Sequence, residues 1–479
     1  MHKDLNFREA DEMTIAIKGI GLATAQGDPG AMRDSQTFCA ASELPWSPSK
    51  WNVSRLCYPA AEIESSLSGV ARWHALIKKA LLDVDCPDKT PLLVASCNGS
   101  ADERWEESFE TSELLGGTPW ANDDLPVFSS SCASGIHALY AAGVLLNSGA
   151  VNEVLVLAAD ILARSNHENF ESLRVLAERS SAPWQSTSTG FILGEAAVVL
   201  KLVRANNDVV FPIVHEPELA SDLVEHDGLS SVLEALSPNP SLILGQGTGP
   251  YANDAAELAA LAAFVDKNVP IATPLTHFGH TLGASSLLSV ALAATFPSLP
   301  NAAESTTDGR PICNGGPPWP AVREVVVTCR ALNGACAATS VGSISEPKQQ
   351  RRKVRWRKSV IPGPLMNPTL KRLASESLDH RPNDPPDLLI LRLEKPLAPQ
   401  REAIIGQRLL PSAVLEITPG FASQLIARSW GYSGPALCLV GDVDVDSYGL
   451  MNAFRESGAN VFQVNLRGSG DNRAIEWNV

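Results

Sequence analysis

The chain reads as an α/β protein built on parallel or mixed sheet with helices on both faces, and three observations predict this. Short, wholly apolar runs such as residues 91–96 (PLLVAS) and 153–160 (EVLVLAAD) lack the alternation of half-exposed strands, so both faces of their sheet are covered. These runs alternate with stretches of helical periodicity. The chain has 479 residues, 44% of them hydrophobic and 19% charged, which is ordinary for a globular protein and enough for more than one core.

Residues 14–24 (TIAIKGIGLAT) alternate and end in glycines, the pattern of a first strand. A proline-broken loop follows, then a helix over 70–84 and the strand at 91–96. Past an acidic stretch at 102–113 comes the segment 128–147, FSSSCASGIHALYAAGVLLN, in which a β-prone run turns through small residues into a long apolar helix. The strand at 153–160 and another at 194–202 complete this part. The theme repeats with a strand at 241–244, helices at 254–264 and 282–295, and a strand at 324–328, ending near Ser345. The expected units are 1–205, 206–345, a basic linker at 346–364, and an α/β extension at 365–479.

The linker holds KQQRRKVRWRK (348–358), which reads as a solvated connector, with a docking patch for an acidic partner as the alternative. The extension runs helix 369–376, strand 387–393, helix 421–430, strand 436–440, helix 447–457 and strand 460–465. That order resembles the first unit, as do the local sequences 371–391 against 79–95 and 457–464 against 148–156. The extension therefore reads as a shortened internal copy, although shared βα patterning produces similar matches. Gly441 to Ser447 stand where the first unit has its cysteine corner, so the copy carries no nucleophile.

The net charge of −15 opposes general nucleic-acid binding. Nine scattered cysteines without a CxxC pair suit a reducing compartment. The N-terminus lacks a signal-peptide core, and the weakly polar stretch 283–296 is too short and serine-rich to span a bilayer. A cytoplasmic protein without a membrane span is expected.

Cys132 lies where strand becomes helix. A helix N-terminus presents unpaired N–H groups and a positive dipole end, which favour a thiolate and push its pKa below the free value of ~8.5. The same groups can hold an oxyanion on an acylated sulfur. Considered alone, such a cysteine is as readily a small buried hydrophobe.

Three more stretches change that balance: PWQSTSTGFILGE (183–195), GQGTGPYANDAAE (245–257) and GHTLGA (279–284). With SCASG (131–135), and in this order, they resemble the β-ketoacyl synthases over about residues 14–345. The resemblance implies a thiolase-like α-β-α-β-α sandwich of two similar halves, a homodimer or heterodimer, and an acyl carrier protein as partner. By the same resemblance Cys132 matches the acyl-accepting nucleophile and His280 the second of two catalytic histidines. The N–H groups of Cys132 and Leu332 match the oxyanion donors, Leu332 falling where the family has its gate phenylalanine.

The sequence also departs from the family. Gln246 stands at the first histidine, Leu275 at the lysine, and Gln185, Ser188 and Thr189 at the charged positions of PFDxxRDGF. Gln246 keeps an amide donor but cannot move a proton. His277, close by, is a candidate to compensate. Thr248 and Asn253 belong to the same motif, and Asp254 and Glu257 read as first-turn acids of a helix rather than as chemistry. No metal triad is spaced in the chain, and 245–249 lacks the third glycine of a dinucleotide loop, so no cofactor is expected. Acyl transfer through Cys132, with condensation weakened, is the leading expectation. The alternative is a non-catalytic, chain-length-factor-like subunit.

Overall fold

The computed structural model describes residues 14–26, 39–40, 56–61, 63–86, 89–100, 108–178, 182–205, 212–222, 227–236, 240–295, 304–313, 324–342, 357, 359, 365, 367–397, 416, 418–469 and 473–478. The acidic stretch before Ser108 and all of the basic run except Arg357 lie outside them. Arg357 forms an ion pair with Asp227.

Five strands make the first sheet: β1 (Thr14–Ala23), β2 (Leu92–Ala95), β3 (Val127–Phe128), β4 (Glu153–Asp160) and β5 (Ala196–Arg204). Their spatial order is β3-β2-β4-β5-β1; β2 runs parallel to β3 and β4, and β5 runs antiparallel to β4 and β1. The second sheet uses β7 (Glu218–Ser221), β8 (Leu242–Leu244), β9 (Ile271–Ala272), β10 (Glu324–Arg330) and β11 (Ala335–Gly342). It has order β9-β8-β10-β11-β7 with the same directions, strand for strand. A short strand β6 (Ile213–His215) pairs with both β1 and β11 and joins the sheets.

Two helices lie between the sheets: α2 (Ser134–Ser148) and α4 (Ser285–Thr295). Both are apolar nearly all round, the composition of a helix covered on every side. They approach closely because Gly135 has no side chain; a Cβ there would lie 2.7 Å from Leu287 Cβ. Outer helices α1 (Gly69–Leu82) and α3 (Tyr251–Phe264) bury one face against the two sheets. This is the expected α-β-α-β-α sandwich.

The C-terminal unit carries α5 (Pro368–Asp379), β12 (Leu388–Leu393), α6 (Pro419–Trp430), β13 (Ala436–Val440), α7 (Leu450–Glu456), β14 (Val461–Arg467) and β15 (Ala474–Asn478). Its strand order is β13-β12-β14-β15, with β12 parallel to β13 and β14, and β15 antiparallel to β14. That is the order and direction of β3-β2-β4-β5. The two units join where β13 pairs antiparallel with β3, Leu439 opposite Phe128 and Val440 opposite Val127. The pairing continues into the cysteine corner, where Ser129 N–H donates to Cys438 O at 2.9 Å. Leu450, Met451, Ala453 and Phe454 of α7 enter the same core as α2. Among the described residues, no helix is long and apolar enough to cross a membrane.

Candidate active site

β3 ends on Phe128, and Ser131 takes a left-handed conformation (φ 54°) before α2 begins at Ser134. A non-glycine residue in that region marks strain held by its surroundings. Here Ser134 Oγ holds the corner by accepting from Ser130 N–H at 2.9 Å and donating to Ser131 O at 2.6 Å. The turn places Cys132 one residue ahead of the helix cap, with its Sγ 3.3 Å from His280 Nε2.

The tautomer of His280 follows from its other nitrogen. Leu282 N–H donates to Nδ1 at 3.1 Å, so Nδ1 carries no proton and Nε2 bears it, facing the sulfur as a donor. Burial lowers the imidazole pKa to about 4, so the ring is neutral at physiological pH. Phe191, with its ring centroid 4.7 Å away, and Phe170 keep that environment apolar.

Gln246 completes the arrangement. Arg330 N–H donates to its Oε1 at 2.8 Å, which leaves the buried Nε2 turned toward Cys132 and without a protein acceptor at ordinary hydrogen-bond distance. The Gln246 side chain and the N–H groups of Cys132 and Leu332 all favour negative charge on the sulfur. They do not prevail in the resting protein. Burial, reinforced by the Asp160 carboxylate, pushes the Cys132 pKa up to about 12, so the expected depression by the helix N-terminus is corrected: a fully desolvated sulfur loses more than the dipole returns.

Asp254 and Glu257 are structural braces, and more than first-turn acids. Glu257 accepts from Gln246 N–H, Gly247 N–H, Trp184 Nε1–H and the Thr328 hydroxyl, while Asp254 accepts from Trp184 N–H and Gly249 N–H. Their sequence spacing of three brings both onto one face of α3, beneath the 245–249 loop. Asn253 donates weakly to Thr248 Oγ1 at 3.5 Å, within the same loop. His277 is half-buried in the short helix Leu275–Phe278, where its carbonyl accepts from Gln26 Nε2.

A narrow pocket reaches Gln246 and His280. Leu275, Thr273, Thr281, Ser285, Ser289 and Thr328 are among its lining residues, whereas Cys132, Leu332 and His277 are not. Among the described residues, the lining carries no Lys, Arg, Asp or Glu.

Sequence reasoning missed three groups. Asp160, at the end of β4, accepts from Ser96 Oγ, Cys97 N–H, Asn98 N–H and Gly283 N–H, tying the end of β2 to the loop that carries His280. Glu195 and Arg72 form a wholly buried pair, Arg72 Nε donating to Oε2 at 2.7 Å. Arg428 of α6 reaches the turn that holds Leu332. The terminal acid of GFILGE and the acid closing EVLVLAAD were visible as charges on apolar strands, and a buried charge demands partners. Nothing in the sequence pointed to Arg428.

No family model matches the chain. Over 196 residues it is 28% identical to Nodulation protein E of Rhizobium leguminosarum bv. trifolii, a match covering 34% of this chain and 47% of that protein. The structure titled PfaC Keto synthase-Chain length factor superposes with a TM-score of 0.73 at 12% identity, over 96% of this chain and 74% of that one. A type II PKS acyl-carrier protein in complex with its ketosynthase bound to the hexaketide (AntDE:AntF) gives a TM-score of 0.57 at 15% identity, over 70% of this chain and 100% of the matched chain. The fold is that of these ketosynthase and chain-length-factor structures, and the ordered motifs around Cys132 resemble those of the β-ketoacyl synthases.

Proposed function

We propose that the chain is an acyltransferase of the β-ketoacyl synthase type in which Cys132 accepts an acyl group from an acyl carrier thioester. The observation that carries this reading is the 3.3 Å approach of Cys132 Sγ to a His280 Nε2 that bears its proton. In the transfer, the Cys132 sulfur bonds to the acyl carbon and the carrier's carbon–sulfur bond breaks. The cysteine proton ends on the departing carrier thiol, so thioester is exchanged for thioester with no other reactant. The N–H groups of Cys132 and Leu332 stabilise the oxyanion formed on the way, the electrostatic role such donors play in acyl transfer.

Condensation with a malonyl thioester is a weaker activity of the same site. An enolate there would receive hydrogen bonds from His280 Nε2 and Gln246 Nε2 but would meet no cation among the described lining residues, with Leu275 at the lysine position. An amide replaces an imidazole as donor without replacing its proton chemistry. Partners under this reading are an acyl carrier protein and a second synthase subunit, and the setting is fatty-acid or polyketide assembly in the cytoplasm.

The second reading, a non-catalytic subunit supporting an active partner, is favoured by one observation: the thiol lies in a site that pushes its pKa up to about 12. Intact-protein mass spectrometry after incubation with acyl carrier thioesters of several lengths separates the two. An acyl mass gain that vanishes in Cys132→Ala is the expected result, and no adduct at any length supports the scaffold. Adding malonyl carrier then tests for a 3-oxoacyl product.

A further inference from the structure

Leu332 lies on a tight turn between β10 and β11, closed by Ala331 N–H to Ala335 O at 2.8 Å and Gly334 N–H to Ala331 O at 2.9 Å. Bonds internal to a turn shape it without fixing where it points. That orientation comes from elsewhere in the chain. Arg428 Nη2, on α6, donates to Asn333 O at 3.0 Å, and its Nε donates to Asp222 O at 3.3 Å. Asp222 N–H donates to Gly334 O at 2.7 Å, so the guanidinium and the Asp222 backbone hold adjacent carbonyls of the turn.

The same grip extends to Gln246. The Asp222 carboxylate pairs with Arg330, at 2.9 Å from Nε and 2.8 Å from Nη2, and Arg330 supplies the N–H that holds Gln246 Oε1. The fit leaves no slack at Gly334: its φ is +97°, and a Cβ there would lie 2.4 Å from Arg428 Nη2. The C-terminal unit also packs against the cysteine corner, where a Cβ at Gly420 would meet Ser129 O at 2.5 Å.

We propose that Arg428 is a positioning residue for the acyl-transfer site. By clamping the carbonyls of Asn333 and Asp222 it fixes the 331–334 turn so that Leu332 N–H faces Cys132, which makes the C-terminal unit a working part of the site in cis. The kinetic consequence rests on the acyltransferase reading above. The consequence at the sulfur itself does not.

The test uses the full chain as wild type, Arg428→Ala and Arg428→Lys. Iodoacetamide labelling of Cys132 is followed by peptide mass spectrometry across a pH series, with half-buried Cys86 as internal reference. Loss of one hydrogen bond to a developing thiolate slows labelling of Cys132 relative to Cys86 by about tenfold in Arg428→Ala and moves its pH profile upward. Arg428→Lys, which keeps a cation able to reach one carbonyl, falls between. An unchanged or faster Cys132 rate in a folded variant overturns the proposal. Should the alanine variant fail to fold, an unchanged rate in a folded lysine variant overturns it equally. With an acyl thioester donor, Arg428→Ala lowers the maximal acylation rate and leaves the half-saturating donor concentration unchanged; the opposite split counts against positioning. If the wild type takes no acyl group at all, the functional reading fails while the labelling rates still decide the role of Arg428.

Discussion

Arg330 N–H donates to Gln246 Oε1 at 2.8 Å, and that single bond decides which end of the amide faces Cys132. Only the oxygen can accept, so the NH₂ group is the end presented to the sulfur. Gln246→Ala removes this donor and should lower the acylation rate by about two orders of magnitude, read by time-resolved intact-protein mass spectrometry. Gln246→His restores an imidazole and should raise formation of 3-oxoacyl product from acyl and malonyl carriers. An unchanged or lower product rate would place Gln246 outside the reacting pocket.

Asp160 gathers four donors at a carboxylate with no solvent exposure. Asp160→Asn turns one acceptor oxygen into an NH₂ that faces backbone N–H groups. Urea unfolding should show a loss of about 2–4 kcal/mol, because buried donors are then left unpaired. The loop of His280 is released with it, so acylation of Cys132 should also slow in Asp160→Asn. A variant as stable as the wild type would show that these four bonds are dispensable.

Arg72 and Glu195 are buried together, and Glu195 also accepts from Ala60 N–H and Leu162 N–H. Arg72→Met strands the carboxylate and is expected to cost about 3–5 kcal/mol. The double variant Arg72→Met/Glu195→Gln should recover part of that loss, since the uncompensated charge is gone. Chemical denaturation of the four proteins gives the coupling directly, and independent effects would rule out a functional pair.

His137 sits within α2, almost fully buried, with neither ring nitrogen hydrogen-bonded in the protein and a pKa lowered to about 3 by burial. A folded pKa below the unfolded value means that the unfolded chain binds the extra proton. The resulting stability is fully present above the unfolded pKa, ~6.5, and is lost as pH falls through it toward 3. Asp160 and Asp254, with pKa values raised to about 7 by burial, act in the opposite direction over the same range, so the comparison must be between variants. Between neutral pH and pH ~5, wild type should lose roughly 2 kcal/mol more than His137→Leu, at ~1.4 kcal/mol per pH unit below ~6.5. Parallel curves for the two proteins would refute this.

Much of the fold could be read from local pattern because most strands of the sandwich are buried on both faces and each central helix is apolar nearly all round. The strands at 153–160 and 324–330 and the helices following Cys132 and Leu282 lie within a few residues of where periodicity put them. β11 (Ala335–Gly342) escaped notice, since its small residues pack a strand without the branched side chains that announce one. In the site, Cys132, His280, Gln246 and Leu332 were legible through ordered motifs. His277 was named for its nearness in sequence, and it lies half-buried in the short helix Leu275–Phe278.

The sequence by itself determined the alternation of strand and helix, the cysteine at a strand-to-helix corner, and a glutamine in the glycine-rich 245–249 stretch, because those are properties of neighbouring residues. The tertiary structure alone decided the rest. Burial sets the thiol pKa against the helix dipole, Leu282 N–H selects the His280 tautomer, and β13 lies against β3 so that Arg428 reaches a turn some 95 residues earlier in the chain. Those outcomes depend on which groups lose water together and which backbone donors they meet, and sequence spacing carries no record of either.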